Sequence, residues 1–150
     1  MFSKIITSFA GQLFIVLFGL AIVSACSMRP AAETVQTGGL ENTHWALKKL
    51  SGYEKAIEQP PTLSFSADRL TGFNGCNRIF ANYATGPDGS ISVGQPGSTR
   101  MACLGEAGDI EKRFNAALTE ARLFAVSRDA LNLMDAKRNI LMVLSPKAPE

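Results

Sequence analysis

Short runs of alternating apolar residues, separated by turn residues, restrict the fold of this chain more than any other feature. Leu63 and Phe65 alternate with polar neighbours, and Ile91 and Val93 repeat the pattern. Turn residues recur about every 8–12 residues, which is typical of a sandwich or a barrel. In the turn at residues 86–89, for example, proline is second and glycine fourth, as in a type I turn. The predicted strands comprise residues 44–50, 62–66, 70–73, 77–84, 90–94, 123–127, 130–134 and 140–145.

One segment departs from this pattern and predicts a helix. Between residues 109 and 122, apolar residues occupy positions 110, 114, 117, 118 and 121, which lie on one face of a helix. We expect Asp109 to cap its N-terminus and Gly108 to limit extension upstream. Glu111 falls among the polar residues that should face solvent. The segment therefore predicts one helix that packs against the sheet.

The N-terminal region has the features of a secretory signal. No charged residue lies between Lys4 and Arg29, and residues 13–23 are apolar apart from one glycine. The following Val23-Ser24-Ala25-Cys26 resembles the bacterial lipobox, which implies cleavage before Cys26 and lipidation of Cys26. An uncleaved anchor is an alternative, since residues 5–25 could span about 30 Å of hydrocarbon. A cleaved, unanchored product is a third possibility.

These features predict how the chain is organised and where it is located. We expect a lipoprotein signal peptide at residues 1–25, a lipidated cysteine and flexible linker at 26–40, a folded domain at 41–146 and a tail at 147–150. Ser27 stands where an aspartate resembles an inner-membrane retention signal, so we expect the outer membrane, facing the periplasm. The chain has 15 Lys and Arg against 13 Asp and Glu, a balance that does not favour nucleic acid as a partner.

Two cysteines remain beyond the lipobox, Cys76 and Cys103. Outside the cytoplasm, such a pair most simply forms a disulfide. Free or reactive thiols are an alternative. A metal site is disfavoured, because His44 is the only histidine available to complete a ligand set. We therefore expect no metal and no cofactor.

The sequences around the two cysteines identify a family. Gly72, Gly75 and Asn77 belong to a Gly-x-x-Gly-Cys-Asn motif, and Thr99-Arg100-Met101-Ala-Cys precedes and includes the second cysteine. Together these motifs resemble the META domain, or HslJ-like, family of bacterial proteins. The resemblance covers about residues 41–145. It implies an α+β fold, a small, curved, barrel-like and mainly antiparallel sheet with one main packed helix, in which the motif residues are structural.

The resemblance implies an envelope-associated or stress-related protein without an agreed activity. No arrangement of catalytic residue types stands out in the sequence, so we expect no catalytic residues and a chain that is not an enzyme. Arg78 and Arg100 could bind an anion, but donation to loop carbonyls is the favoured interpretation.

The function predicted is that of a lipid-anchored envelope protein, a non-catalytic binding or stress-related module. Its partners would be the membrane, through the lipid, and a protein or small ligand that the sequence does not identify. A chaperone-like or pilotin-like lipoprotein for an envelope partner is the alternative. A thiol/disulfide redox protein that uses Cys76 and Cys103 is a third hypothesis.

Overall fold

The computed structural model describes residues 39–148, which contain nine strands and one helix. The predicted signal peptide, the lipidation of Cys26 and most of the linker lie outside the described residues. The elements are β1 (Thr43–Leu50), β2 (Thr62–Ser66), β3 (Arg69–Phe73), β4 (Arg78–Thr85), β5 (Ile91–Val93), β6 (Gly97–Ser98), α1 (Glu106–Glu120), β7 (Leu123–Val126), β8 (Leu131–Met134) and β9 (Ile140–Pro146).

The strands form one antiparallel sheet that nearly closes into a barrel. Its order is β5-β4-β3-β2-β1-β9-β8-β7, and β6 pairs separately with β4. The two ends of this order meet, because the Ile91 N–H donates to the Arg122 carbonyl (2.9 Å) and the Phe124 N–H donates to the Gly89 carbonyl (2.8 Å). The α+β fold expected from the sequence is therefore confirmed. Only β6 was missed, since two residues are too few to show an alternation.

A β-bulge in β1 explains an irregularity in its sequence. Trp45 and Leu47 point into the barrel, and strict alternation would then place Lys49 inside. The pairing of β1 with β9 shifts register between Leu47 and Lys49, so two residues of β1 oppose one of β9. As a result Leu50 returns to the interior, and both Lys48 and Lys49 are exposed.

The core fills the space between the sheet and the helix. Phe65, Leu133 and Met142 are at most 1% exposed on the strands, and Phe114 and Leu118 of α1 join the same cluster. β9, which is apolar on both faces, lies between β1 and β8. The whole cluster lies within residues 40–144. A chain that begins after Cys26 therefore keeps every residue of this core.

The helix begins one turn earlier than predicted. Gly105, with φ of 63°, occupies the cap position, and α1 starts at Glu106 without a side-chain cap. Asp109 lies in the first turn, where its N–H donates to the Gly105 carbonyl (3.1 Å), so the predicted cap is wrong. Gly108 does not limit the helix. It allows close packing, since a Cβ there would lie 2.5 Å from the Cys103 carbonyl oxygen. Within residues 39–148 no helix is long and apolar enough to cross a membrane.

Candidate functional site

The first cysteine motif forms a tight turn between β3 and β4. Asn74 is fully buried, and its Oδ1 accepts hydrogen bonds from the backbone N–H groups of Cys76 (3.1 Å) and Asn77 (2.7 Å). Gly75 has φ of 101°, and a Cβ there would lie 2.7 Å from Cγ2 of Ile110. The turn therefore requires both the asparagine and the glycine.

Gly72 serves the sheet rather than the turn. It pairs with Leu63 across β2 and β3, and a Cβ on it would lie 2.0 Å from the Thr62 carbonyl oxygen. A larger residue would separate the two strands at this point. The two glycines of the motif are thus required for different structural reasons, Gly75 for the turn and Gly72 for the pairing of β2 with β3.

Asn77 joins the first motif to the second. Its Oδ1 accepts hydrogen bonds from the Thr99 hydroxyl and the Met101 N–H, both at 2.8 Å, and its Nδ2 donates to the Met101 carbonyl (3.1 Å). The side chain is only 3% exposed and pairs with Met101 as a neighbouring strand would. Sequence positions more than 20 residues apart are therefore held together by one amide.

Glu111 and Asn115 of α1 complete a cluster that the sequence did not predict. Glu111 Oε1 accepts from Nδ2 of Asn77 (2.9 Å) and of Asn74 (3.2 Å), and Asn115 Oδ1 accepts from Asn74 Nδ2 (3.1 Å). Glu111 is half-buried, so the expectation that it faces solvent is wrong. We call Asn74, Asn77, Glu111 and Asn115 the Asn–Glu cluster. The only sequence signal for this cluster was the pair of asparagines in the first cysteine motif, because buried amide N–H groups need acceptors.

Cys76 and Cys103 are joined by a disulfide, with their Cα atoms 6.0 Å apart. Cys76 is 6% exposed and Cys103 is half-buried. The bond fastens the C-terminal part of residues 99–105, which we call the cysteine loop, while Asn77 fastens its N-terminal part. His44, the only histidine of the chain, lies on β1 with its Nδ1 2.9 Å from the Ser64 hydroxyl.

The cysteine loop presents apolar side chains to solvent. Met101 is 65% exposed, although Asn77 holds its backbone, and Leu104, next to the disulfide, is 92% exposed. Arg78 and Arg100 are also exposed. Within residues 39–148 their guanidinium groups make no hydrogen bond to a loop carbonyl. The Met101 carbonyl accepts from Asn77 Nδ2 instead. The prediction that Arg78 and Arg100 donate to loop carbonyls is therefore wrong.

Two tyrosines and two aspartates have shifted pKa values, and burial on β4 raises the pKa of Tyr83. The hydrogen bond that Tyr53 donates to Glu106 raises the pKa of Tyr53 to about 12. The pKa values of Asp88 and Asp135 lie below their usual range, because each accepts hydrogen bonds from a side chain and a backbone N–H within its own turn. No three potential metal ligands gather within the described part of the chain.

The fold and the cluster define a class of protein, a small α+β barrel whose cysteine loop is held by the Asn77 side chain and by a disulfide. The family model of the META domain matches residues 38–148, and the chain belongs to the META domain family. The resemblance drawn from the two cysteine motifs is therefore confirmed. This is a family of unclear function and not a known family of enzymes.

Solved structures agree with this fold. A protein from Burkholderia xenovorans, solved by NMR, is 30% identical, with a TM-score of 0.60, over 73% of this chain and 85% of that chain. A DUF4847 family protein from Bacteroides vulgatus is 11% identical, with a TM-score of 0.55, over 75% of this chain and 97% of that chain, and shows the fold alone. No curated protein matches the chain.

Proposed function

We propose that this protein is a lipid-anchored, non-catalytic binding module of the cell envelope that engages a protein partner through its cysteine loop. In this proposal residues 1–25 are the signal peptide, Cys26 carries the lipid, and residues 26–40 link it to the domain at 41–146. The domain would face the periplasm from the outer membrane. A role under envelope stress, as the family resemblance implies, belongs to the same proposal.

The disulfide supports a location outside the cytoplasm. Disulfides persist in oxidising compartments and are rare where glutathione and thioredoxin keep thiols reduced. Cys76 and Cys103 form such a bond between the β3–β4 turn and the cysteine loop. This agrees with the lipobox-like Val23-Ser24-Ala25-Cys26, which independently favours export.

The observation that carries the binding proposal is the exposure of Met101 and Leu104 on a braced loop. Single exposed apolar residues need no explanation, but here two large ones stand on a segment held at both ends. A braced loop loses little conformational freedom when a partner covers it, which favours binding. The polar groups beneath it, Asn77 and Glu111, are engaged in holding the fold.

Two measurements test the two halves of this proposal. Mass spectrometry of the membrane-extracted chain, without reductant, should show acylated Cys26 and linked Cys76 and Cys103. An unmodified Cys26 would refute the lipid anchor. Free Cys76 and Cys103, or a pair that turns over with reductant, would favour the redox hypothesis instead.

Site-specific photo-crosslinking in cells tests the binding surface. A photoreactive residue in place of Leu104 should give a discrete adduct with one protein. The matched control is the same residue in place of Arg128, which is exposed on the turn between β7 and β8. Equal adducts from both positions, or none from position 104, would refute the assignment of the cysteine loop.

A further inference from the structure

A second surface lies where the end of β1 meets the start of β9. A groove of about 490 Å³ opens there, and the segment 51–57 forms one wall. This volume falls in the range of about 300–1,000 Å³ that is usual for small-molecule sites. Its lining includes Lys48, Lys49, Lys55, Ile57, Leu141 and Val143.

The floor of the groove is apolar because β9 is apolar on both faces. Met142 and Leu144 fill the barrel interior, so Leu141 and Val143 face outward, where they are half-buried. Ile140 at the edge of the groove is 51% exposed. The outer face of β9 is thus left as an open surface with an apolar strip.

Backbone and side-chain bonds hold the wall of the groove. The Ser51 N–H donates to the Leu141 carbonyl (2.9 Å), and the Tyr53 N–H donates to the Leu50 carbonyl (3.0 Å). The Tyr53 hydroxyl donates to Glu106 at the start of α1. The groove is therefore formed before any ligand arrives, which lowers the entropic cost of binding.

The rim of the groove is cationic. The bulge in β1 turns both Lys48 and Lys49 outward, and Lys49 stands directly opposite Val143. Lys55 adds a third ammonium group, against one carboxylate, Glu54. Within residues 39–148 no hydrogen bond or ion pair engages the three ammonium groups. Long lysine stems can lie along apolar surface while their charged ends reach a ligand.

We infer that this groove binds a single acyl chain that carries an anionic headgroup, of the kind of a free fatty acid. The outward residues of β9 would cover the chain, and Lys48 and Lys49 would pair with the carboxylate. An uncharged or cationic amphiphile would bury the same apolar area but gain nothing from the lysines. The charge of the rim therefore determines the class of ligand.

Sodium dodecanoate, below its micelle concentration, is the probe for this inference. The protein is the ¹⁵N-labelled chain of residues 27–150, which includes the whole core. Amide shifts on titration should concentrate at residues 48–57 and 140–143. Dodecyltrimethylammonium, with the same chain and the opposite charge, should bind about tenfold more weakly or worse, and butanoate should not bind measurably. Added salt should weaken dodecanoate binding.

Two charge-reversal variants distinguish binding by the lysines of the groove rim from attraction to the net charge of the protein. Lys48→Glu with Lys49→Glu should weaken dodecanoate binding roughly tenfold. Lys112→Glu with Arg128→Glu changes the net charge equally at exposed positions outside the groove, and should alter binding less than about twofold. Circular dichroism and thermal unfolding check that both variants fold.

Three results would overturn the inference. The first is equal binding of dodecanoate and dodecyltrimethylammonium, which would mean general apolar association. The second is equal weakening by the two charge-reversal variants. The third is binding to anionic vesicles without any shift from monomeric dodecanoate, which would assign the lysines to a membrane surface.

Discussion

Replacement of Asn77 by aspartate should convert a stabilising contact of the Asn–Glu cluster into a pH-dependent repulsion. The substitution keeps the shape of the side chain and the acceptor oxygen for Thr99 and Met101. It removes the Nδ2 donor, which now lies 2.9 Å from Glu111 Oε1. A second carboxylate would then face the first at nearly the same distance.

The magnitude follows from these contacts. Two unit charges about 4 Å apart repel by about 4 kcal/mol at an effective dielectric constant of 20. Because Glu111 is half-buried, solvent screening reduces this to roughly 2 kcal/mol. The lost hydrogen bond to the Met101 carbonyl adds about 1 kcal/mol. Asn77→Asp should therefore lower the free energy of unfolding by about 3 kcal/mol at pH 8.

The pH dependence has a definite sign. Repulsion raises the pKa of the introduced carboxyl in the folded state by roughly 1.5 units above the ordinary 3.9, since one unit corresponds to about 1.4 kcal/mol. A group whose pKa is raised on folding stabilises the fold below its unfolded-state pKa and loses that effect as pH rises through the folded-state pKa. The variant should therefore regain about 1 kcal/mol between pH 8 and about pH 4.5.

Urea unfolding at pH 8 and at about pH 4.5 measures the free energy of unfolding of the parent and of each variant, all as residues 27–150. Asn82→Asp is the matched control, because Asn82 is exposed on β4 and the charge change is identical. Equal stability of the two variants at pH 8 would refute the role given to the cluster. A deficit of Asn77→Asp that does not shrink at the lower pH would refute the electrostatic account.

Three further predictions follow from single contacts. The double substitution Cys76→Ser with Cys103→Ser should lower the free energy of unfolding by roughly 3.5 kcal/mol, because the disulfide closes a loop across 27 positions. The melting temperature should fall by about 15 °C. An unchanged melting temperature would contradict a structural disulfide. Gly72→Ala should lower stability, because its Cβ would meet the Thr62 carbonyl oxygen at 2.0 Å, and calorimetry measures the loss. Tyr53→Phe should remove, from an ultraviolet titration, the tyrosine that ionises near pH 12, and retention of that phase would assign it elsewhere.

The sequence alone determined the secondary structure and the family of this domain. Strand alternation and turn residues predicted eight of the nine described strands, because burial on one face of a sheet leaves a period of two in the sequence. The helical period correctly selected Phe114, Leu118 and the other buried residues of α1. The cysteine motifs led to the META domain family, which the family model confirms.

Only the tertiary structure decided what the polar residues do. Glu111 lies 34 positions from Asn77, and no local pattern distinguishes it from a solvated helix residue, so its place in the cluster required the packing of α1. The helix starts after Gly105, whose φ is 63°, and Gly108 lies inside the helix close to the Cys103 carbonyl oxygen. The lysine-rimmed groove arises from a register shift between β1 and β9, whose partners stand about 100 positions apart in the chain. Periodicity records which side of an element is buried, whereas hydrogen-bond partners and register are set by contacts distant in sequence.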